Sequence, residues 1–385
     1  MTHVAWLSLG QFNPRVGVGG MRSTLSRLRA LREQGYPVSI LDFLANDQDH
    51  EGFDRLLSEY GGGLEQDGST CRCLFAGLSY VHQVLPRPWF ELIRQQQPAV
   101  GAIVAALRRE GVEYTFTFDE GLWPLQAAWR ARVPGAHFFQ TAGDVRRFAR
   151  NPGYIWLLKH RTVVATSRFM QGLIGTHLGL DSLLWYPCID LRAYRQAAHE
   201  RGLGRIGFSA TGGAKGWQVV EQVARRLPER QFVVAGHGVR TDGRGLPENV
   251  MLLGHIADMQ PFYAQIDLLL VPSMVEEAFG RVVIEAAAAG IPSVANCIGG
   301  LPEALGDSGA LVEVRDDIAA MAEAYVGAIA GMLGTPDSYA RERQRALARA
   351  AAYEHEQHAA ITAFCARELE LHVGRPSQVG GAPAA

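Results

Sequence analysis

PSMVEEAFGRVVIEAAAAGIPSVANCIGGLPEALGDSGALV, from Pro272 to Val312, decides the fold of this chain. An apolar run, Asp267 to Val271, leads into it and reads as a buried strand that stops at Pro272-Ser273. A polar loop with Glu276 and Glu277 follows, then Phe279-Gly280, then an Ala-rich helix from Arg281 to Ala289 ended by Gly290 and Pro292. The order is strand, loop, helix, strand. A loop leaving the C-terminal end of a parallel strand and entering a helix is where open α/β sheets bind ligands. The free N–H groups of the helix's first turn attract an anion such as phosphate. Glu277 in the loop and Glu285 in the helix add carboxylates, good acceptors for sugar hydroxyls. The stretch therefore suits a ligand that joins phosphate to sugar. Spacing alone also allows a plainer reading, in which Arg281 and Glu285, four apart, are a surface ion pair worth about 0.3–0.5 kcal/mol.

Outward from this stretch, composition sets bounds. At 385 residues the chain has room for two domains. Hydrophobic content of 48% and charged content of 20% describe a globular protein. A net charge of −2 gives no ground for a nucleic-acid partner. No apolar run reaches membrane-span length, and the opening HVAWLSL reads as a strand without a basic leader. Five scattered cysteines (Cys71, Cys73, Cys188, Cys297, Cys365) fit a reducing, cytoplasmic location. Lys159 and Lys215 are the two lysines among 37 cationic residues.

The N-terminal part begins as βαβ: a strand at 3–9, a glycine-rich loop at 10–20, a helix over Met21–Gln34 and a strand over Val38–Phe43. Gly17-Val-Gly-Gly20 invites a dinucleotide reading with Asp42 as ribose acid, but Arg22 stands where the fingerprint needs its third glycine. Asp47-Gln-Asp49 has the form of a metal signature, yet no apolar strand directly precedes it, so it reads as a solvated loop and no metal site is expected. Residues 50–75, polar and glycine-rich, read as a surface excursion. A helix over 100–110 and strands over Tyr114–Phe118, His137–Thr141 and Val163–Ala165 follow. Strand ends at Asp119, Glu120 and Asp144 point to one rim of this sheet, although Asp144 also suits a helix N-cap. From Arg130 to Arg168 eight basic residues face one acid, Asp144, with Trp156-Leu-Leu158 among them. That cluster suits an anionic acceptor or a membrane surface, or else is a solvated face.

The C-terminal half carries a strand over Arg205–Ala210, a Gly-Gly-Ala-Lys215-Gly216 loop, a helix over Trp217–Leu227 and strands over Gln231–Ala235 and Val250–Leu253. Helices continue from Asp316 to about Glu370, and Arg375 to Ala385 has the composition of a disordered tail.

Glu277, Phe279, Gly280 and Glu285, with Gly290-Ile-Pro292 and Gly299-Gly300-Leu-Pro-Glu303, resemble the donor-site segment of the retaining family 4 (group 1) glycosyltransferases. Tyr186-Pro-Cys-Ile-Asp190 resembles that family's crossover between domains. The resemblance implies an α/β GT-B fold with two Rossmann-like domains facing a central cleft. The expected domains are an acceptor domain at 1–186, a donor domain at 187–355, a returning helix at 356–374 and a tail at 375–385. It also implies sugar transfer from a nucleoside-diphosphate donor with retention, by front-face chemistry without a metal or cofactor. Donor-site roles then fall to Gly19, Gly20, Lys215, His255, Ile256, Glu277, Phe279, Gly280, Arg281, Val282 and Glu285. Within them Lys215 would meet the diphosphate, Glu285 the ribose and Glu277 the sugar, while the Asp119, Glu120 and Asp144 rim would face the acceptor. Glu277, Lys215 and Asp144 are the catalytic candidates. Two departures stand out: Ala210 occupies the place of a usual arginine, and Ala142-Gly143 that of a usual histidine. A nucleotide-sugar isomerase of the same fold, a nicotinamide oxidoreductase or a nucleotide-binding protein without catalysis are the competing readings. Donor sugar, base, acceptor and oligomeric state are not encoded legibly.

Overall fold

A computed structural model of the protein describes residues 1–9, 19–45, 61–67, 69–75, 77–85, 87–118, 122–195, 204–211, 213–237, 239, 245–256 and 258–370. The chain divides into two compact units. One comprises Met1–Thr166, Gln171–Trp185 and the chain from Ala359; the other comprises Ser167–Met170 and Tyr186–His358.

The first unit is built on β1 (Val4–Ser8), β2 (Val38–Ala45), β3 (Gly61–Asp67), β4 (Thr70–Phe75), β5 (Leu78–Leu85), β6 (Tyr114–Phe118), β7 (Gly135–Phe139), β8 (Thr162–Ala165) and β9 (Leu183–Leu184). Their order in one sheet is β3-β4-β5-β2-β1-β6-β7-β8-β9, parallel from β5 to β9. Every residue of β1, β2 and β7 is buried, as expected of parallel strands covered on both faces. The helices used below are α1 (Gly19–Glu33), α2 (Leu122–Ala131), α3 (Ala142–Phe148) and α4 (Pro152–Leu158). One side of the sheet is filled by Leu7, Leu41, Phe43, Val81, Ile103 and Trp123, each stabilising by about 1.5–3 kcal/mol when fully buried.

The surface excursion expected over 50–75 needs correction. Residues 61–67 and 70–75 are the antiparallel strands β3 and β4 at the sheet edge. In β4, Cys71, Cys73 and Phe75 are buried while Leu74 is exposed, an alternation that seats one strand face on the unit. Asp47-Gln-Asp49 and the tail from Arg375 lie outside the described residues, as do Asp119 and Glu120.

Two buried polar side chains of this unit, His137 and Glu368, are matched by hydrogen bonds. His137, wholly buried in β7, meets Thr117 Oγ1 through Nδ1 at 2.9 Å and Tyr154 Oη through Nε2 at 2.7 Å. Burial, and then the charge of Arg161, hold its pKa well below the usual value. Glu368, in the π-helical turn Cys365–Glu370, accepts from Tyr114 Oη at 3.1 Å and Thr162 Oγ1 at 2.6 Å.

The second unit holds β10 (Ile206–Thr211), β11 (Phe232–His237), β12 (Val250–Gly254), β13 (Leu268–Val271), β14 (Ser293–Asn296) and β15 (Ala310–Val312). All described pairings are parallel, in the order β12-β11-β10-β13-β14-β15. That is the doubly wound order, which reverses between β10 and β13. Around it pack α5 (Trp217–Arg226), α6 (Arg281–Ala288), α7 (Ile318–Leu333) and, as far as His358, α8 (Pro336–Phe364). Asp317 caps α7 by accepting from Ala319 N at 2.9 Å and Ala320 N at 3.1 Å. The core gathers Phe208, Trp217, Val220, Leu270, Val294 and Tyr325.

Candidate functional site

The reversal between β10 and β13 places two loops side by side at the C-terminal ends of those strands. The first is the short turn Gly213–Lys215; the second runs from Pro272 to Gly280. They are joined by a hydrogen bond from Met274 N to Ala214 O at 3.0 Å. Gly216, with φ of 85°, makes the approach possible: a Cβ there would lie 1.9 Å from Pro272 O. Lys215 is thereby delivered to the second loop, where its Nζ donates to Glu277 Oε1.

Glu277 is fixed from several sides. Ser273 Oγ donates to the same Oε1 at 2.7 Å, and Gly300 N donates to the Glu277 carbonyl at 2.7 Å. Asn296 Nδ2 holds the Ser273 carbonyl at 3.0 Å, and Tyr325 Oη in turn donates to Asn296 Oδ1 at 2.9 Å. Ser273 and Asn296 are wholly buried, so this chain of bonds ties the loop to the core. Among the described residues, Glu277 Oε2 has no hydrogen-bond partner. The Lys215 and Glu277 side chains keep 29% and 19% of their surface exposed, enough for both to reach a ligand.

Phe279 turns inward, its ring 5.4 Å from those of Tyr186 and Tyr353. Its side chain is an anchor, leaving backbone to face outward. Gly280 has φ of 120°, a conformation costly for any other residue, and it starts α6 without a side-chain cap. The first turn of α6 therefore keeps N–H groups for an anion.

Arg281 and Glu285 are not the surface pair that their spacing allows. Glu285 is 3% exposed; it accepts from Arg281 Nη2 at 3.1 Å and from Tyr263 Oη at 3.0 Å. Arg281 Nη1 also donates to the Cys188 carbonyl at 3.1 Å. Burial, then the Glu285 charge, raise the Tyr263 phenol well above its usual range, so it remains a donor. The carboxylate uses two of about four acceptor positions. Val282, half-buried, follows in the same turn.

The remaining sequence candidates are dispersed. His255 is exposed and Ile256 half-buried just past β12, two strands out from β10. Ala210 lies within β10, opposite Gly236. Gly19 and Gly20 open α1 after β1, where the strand order of the first sheet reverses. Asp144 is not the N-cap of α3. Thr141 is, because its extended backbone lets its hydroxyl accept from Asp144 N at 3.1 Å. Asp144 sits three residues later and pairs with Arg147 at 2.8 Å. Arg168 N donates to Glu303 Oε2 at 2.8 Å, so that member of the basic run serves its own unit.

Sequence reasoning missed Ser273, Asn296, Tyr325 and Tyr263. The Ser273 position, one residue past a strand end, carried a signal; the others converge only through the sheet. Among the described residues no three His, Cys, Asp or Glu side chains gather as metal ligands, none of the five cysteines forms a disulfide, and no single helix is long and apolar enough to cross a membrane.

Comparison with known proteins matches residues 205–330 to the family described as "Glycosyl transferases group 1". A D-inositol 3-phosphate glycosyltransferase of Mycobacterium avium (strain 104) is 31% identical over 315 residues, 69% of this chain and 73% of the relative. Its counterpart in Mycobacterium sp. (strain JLS) is 34% identical over 185 residues, and there the match spans only 42% of the relative's length and 40% of this chain. Among solved structures, sucrose-phosphate synthase from Thermosynechococcus elongatus has a TM-score of 0.70 at 17% identity, covering 97% of this chain and 100% of that one. Anabaena HepE in complex with UDP and glucose has a TM-score of 0.68 at 17% identity, covering 96% and 100%. At such identities the likeness establishes the fold, which is GT-B.

Proposed function

Since the chain belongs to the group 1 glycosyltransferases, we propose that it transfers a sugar from a nucleoside-diphosphate sugar to an acceptor, with retention and without a catalytic metal. The observation that carries this reading is the Lys215–Glu277 pair at the strand-order reversal, with Glu277 Oε2 unengaged among the described residues. A departing nucleoside diphosphate gathers negative charge on its phosphate oxygens, and catalysis must neutralise it. Lys215 supplies a point charge there, and the open first turn of α6 supplies N–H groups. Glu277, held by Ser273, keeps one oxygen for a sugar hydroxyl. Glu285, oriented by Arg281 and Tyr263, uses its spare acceptor capacity for the ribose. Backbone at Phe279-Gly280, with Arg281 and Val282 behind it, shapes the pocket wall. By resemblance to the family, the base is assigned to His255 and Ile256, and a diphosphate role to the Gly19-Gly20 backbone. On the acceptor side the scheme keeps Asp144, oriented by Thr141 and Arg147. Front-face attack needs no protein nucleophile. Five cysteines without a disulfide favour a reducing, cytoplasmic setting.

HepE was solved with UDP-glucose, which makes UDP-glucose the first donor to try. The relatives' name, D-inositol 3-phosphate glycosyltransferase, makes D-inositol 3-phosphate the first acceptor to try. Calorimetry with UDP, GDP and ADP, then product analysis with and without acceptor in EDTA, tests the reading. Transfer that survives chelation is expected. An epimer formed without acceptor points instead to an isomerase, and activity lost in EDTA but restored by manganese overturns the metal-free scheme.

A further inference from the structure

The first unit carries a surface feature that sugar transfer does not use. Trp129 on α2 and Trp156 on α4 are 42% and 45% exposed, although tryptophan is normally covered. Their rings meet edge to face at 5.2 Å, and the His160 ring extends the row at 4.7 Å from Trp156. The two indoles thus form one apolar ridge rather than two isolated exposures.

Cations border that ridge. Arg130 follows Trp129 in the chain, Lys159 stands three residues after Trp156, the spacing of helix-surface neighbours, and Arg132 lies just past the end of α2. All three are exposed, and none forms an ion pair among the described residues. Arg132 adds a second observation. It has φ of 57°, the only positive φ at a non-glycine residue among those described. It occupies the position just past a helix end, where its N–H returns to Trp129 O and glycine is the favoured residue. The chain keeps a cation beside the ridge at a conformational cost.

An apolar indole ridge accompanied by cations that form no ion pair among the described residues, one of them, Arg130, donating to Gln97, matches the boundary of an anionic bilayer, where tryptophan settles at headgroup level and Lys and Arg meet the surface charge. We propose that this face of α2 and α4 docks the protein peripherally on membranes rich in anionic lipid. The proposal stands independently of the transferase reading, since none of these residues belongs to the donor site.

Flotation of the full chain with phosphatidylcholine vesicles, alone or mixed with phosphatidylglycerol, tests it. Binding is expected only with phosphatidylglycerol and should weaken as salt rises. Trp129→Ala with Trp156→Ala should reduce it on the order of ten-fold. Arg132→Gly is the decisive single variant. It relieves the left-handed backbone, so thermal stability should hold or rise, while vesicle affinity falls about five-fold with the lost charge. Equal binding to neutral vesicles, absence of binding to anionic ones, or full binding by the double tryptophan variant would each overturn the proposal. So would a tryptophan variant that alters sedimentation of the lipid-free protein yet floats normally, which would mark the ridge as a contact between copies.

Discussion

The parallel strands from β5 to β8 repeat the strand order of the second unit, yet the two units use their polar side chains in opposite ways. In the first, His137 is sealed between Thr117 and Tyr154 with both ring nitrogens engaged. In the second, Glu277 is anchored through one oxygen only, beside a half-exposed lysine. A buried group whose hydrogen bonds are complete has nothing left for a ligand, so it serves the fold. A group fixed on one side and open on the other is already oriented, and a ligand loses less entropy in meeting it. Substitutions in the first cluster should therefore move stability, and those in the second should move binding.

Glu285 is where that contrast is most exposed to failure, because it is buried yet assigned to ribose. Glu285→Ala strands Arg281 and Tyr263 and should lower unfolding free energy by about 3 kcal/mol, measured by denaturant titration. Glu285→Gln, which keeps the shape, should fold well but weaken nucleoside diphosphate and nucleotide sugar alike. Full ligand affinity in that variant makes Glu285 a purely structural group. Lys215→Ala comes next, with an expected loss of about 1.5–3 kcal/mol in diphosphate binding by calorimetry and an unmoved melting temperature.

His137 tests the other side. Its pKa is depressed in the folded state, so its contribution is fully present above about pH 6.5, the unfolded value, and is lost as pH falls from there toward the lower folded value. The melting temperature should decline over that acid range. His137→Gln should cost about 1–3 kcal/mol at neutral pH and flatten the acid decline, leaving nucleotide affinity alone. The smallest expected change is in Glu277→Ala. It frees Lys215 from its partner, so nucleoside diphosphate affinity should hold or rise slightly while turnover drops. A double-mutant cycle with Lys215→Ala measures how far the two act as one. Weaker plain nucleotide binding in a folded Glu277→Ala protein would refute the division between sugar and phosphate.

Much of the candidate site was legible because its layout is local. Lys215 follows a strand and glycines, and Glu277 to Glu285 spans one loop and one helix. What escaped was either long-range or disguised. Tyr325 and Asn296 stand 29 residues apart and meet only across the sheet. In β3, Gly61-Gly-Gly63 and Glu65-Gln-Asp67 have loop chemistry, and only the alternation of Cys71, Cys73 and Phe75 betrayed the neighbouring strand. Trp129 and Trp156 are 27 positions apart in sequence, so no spacing rule pairs them. Charge counting found the basic run but gave no hint that the indoles meet within it.

Glu368 sets when the contacts of the first unit can be completed. Tyr114 and Thr162 both donate to it, across 254 and 206 positions, and Thr2 Oγ1 donates to Leu369 O at 3.2 Å across 367. The ribosome releases the sheet of the first unit long before these acceptors exist. Until residues 368 and 369 emerge, the Tyr114 and Thr162 hydroxyls lack the carboxylate that receives them, and the strand carrying Tyr114 waits on nearly the last turn of the described chain. The unit begun first is therefore finished last.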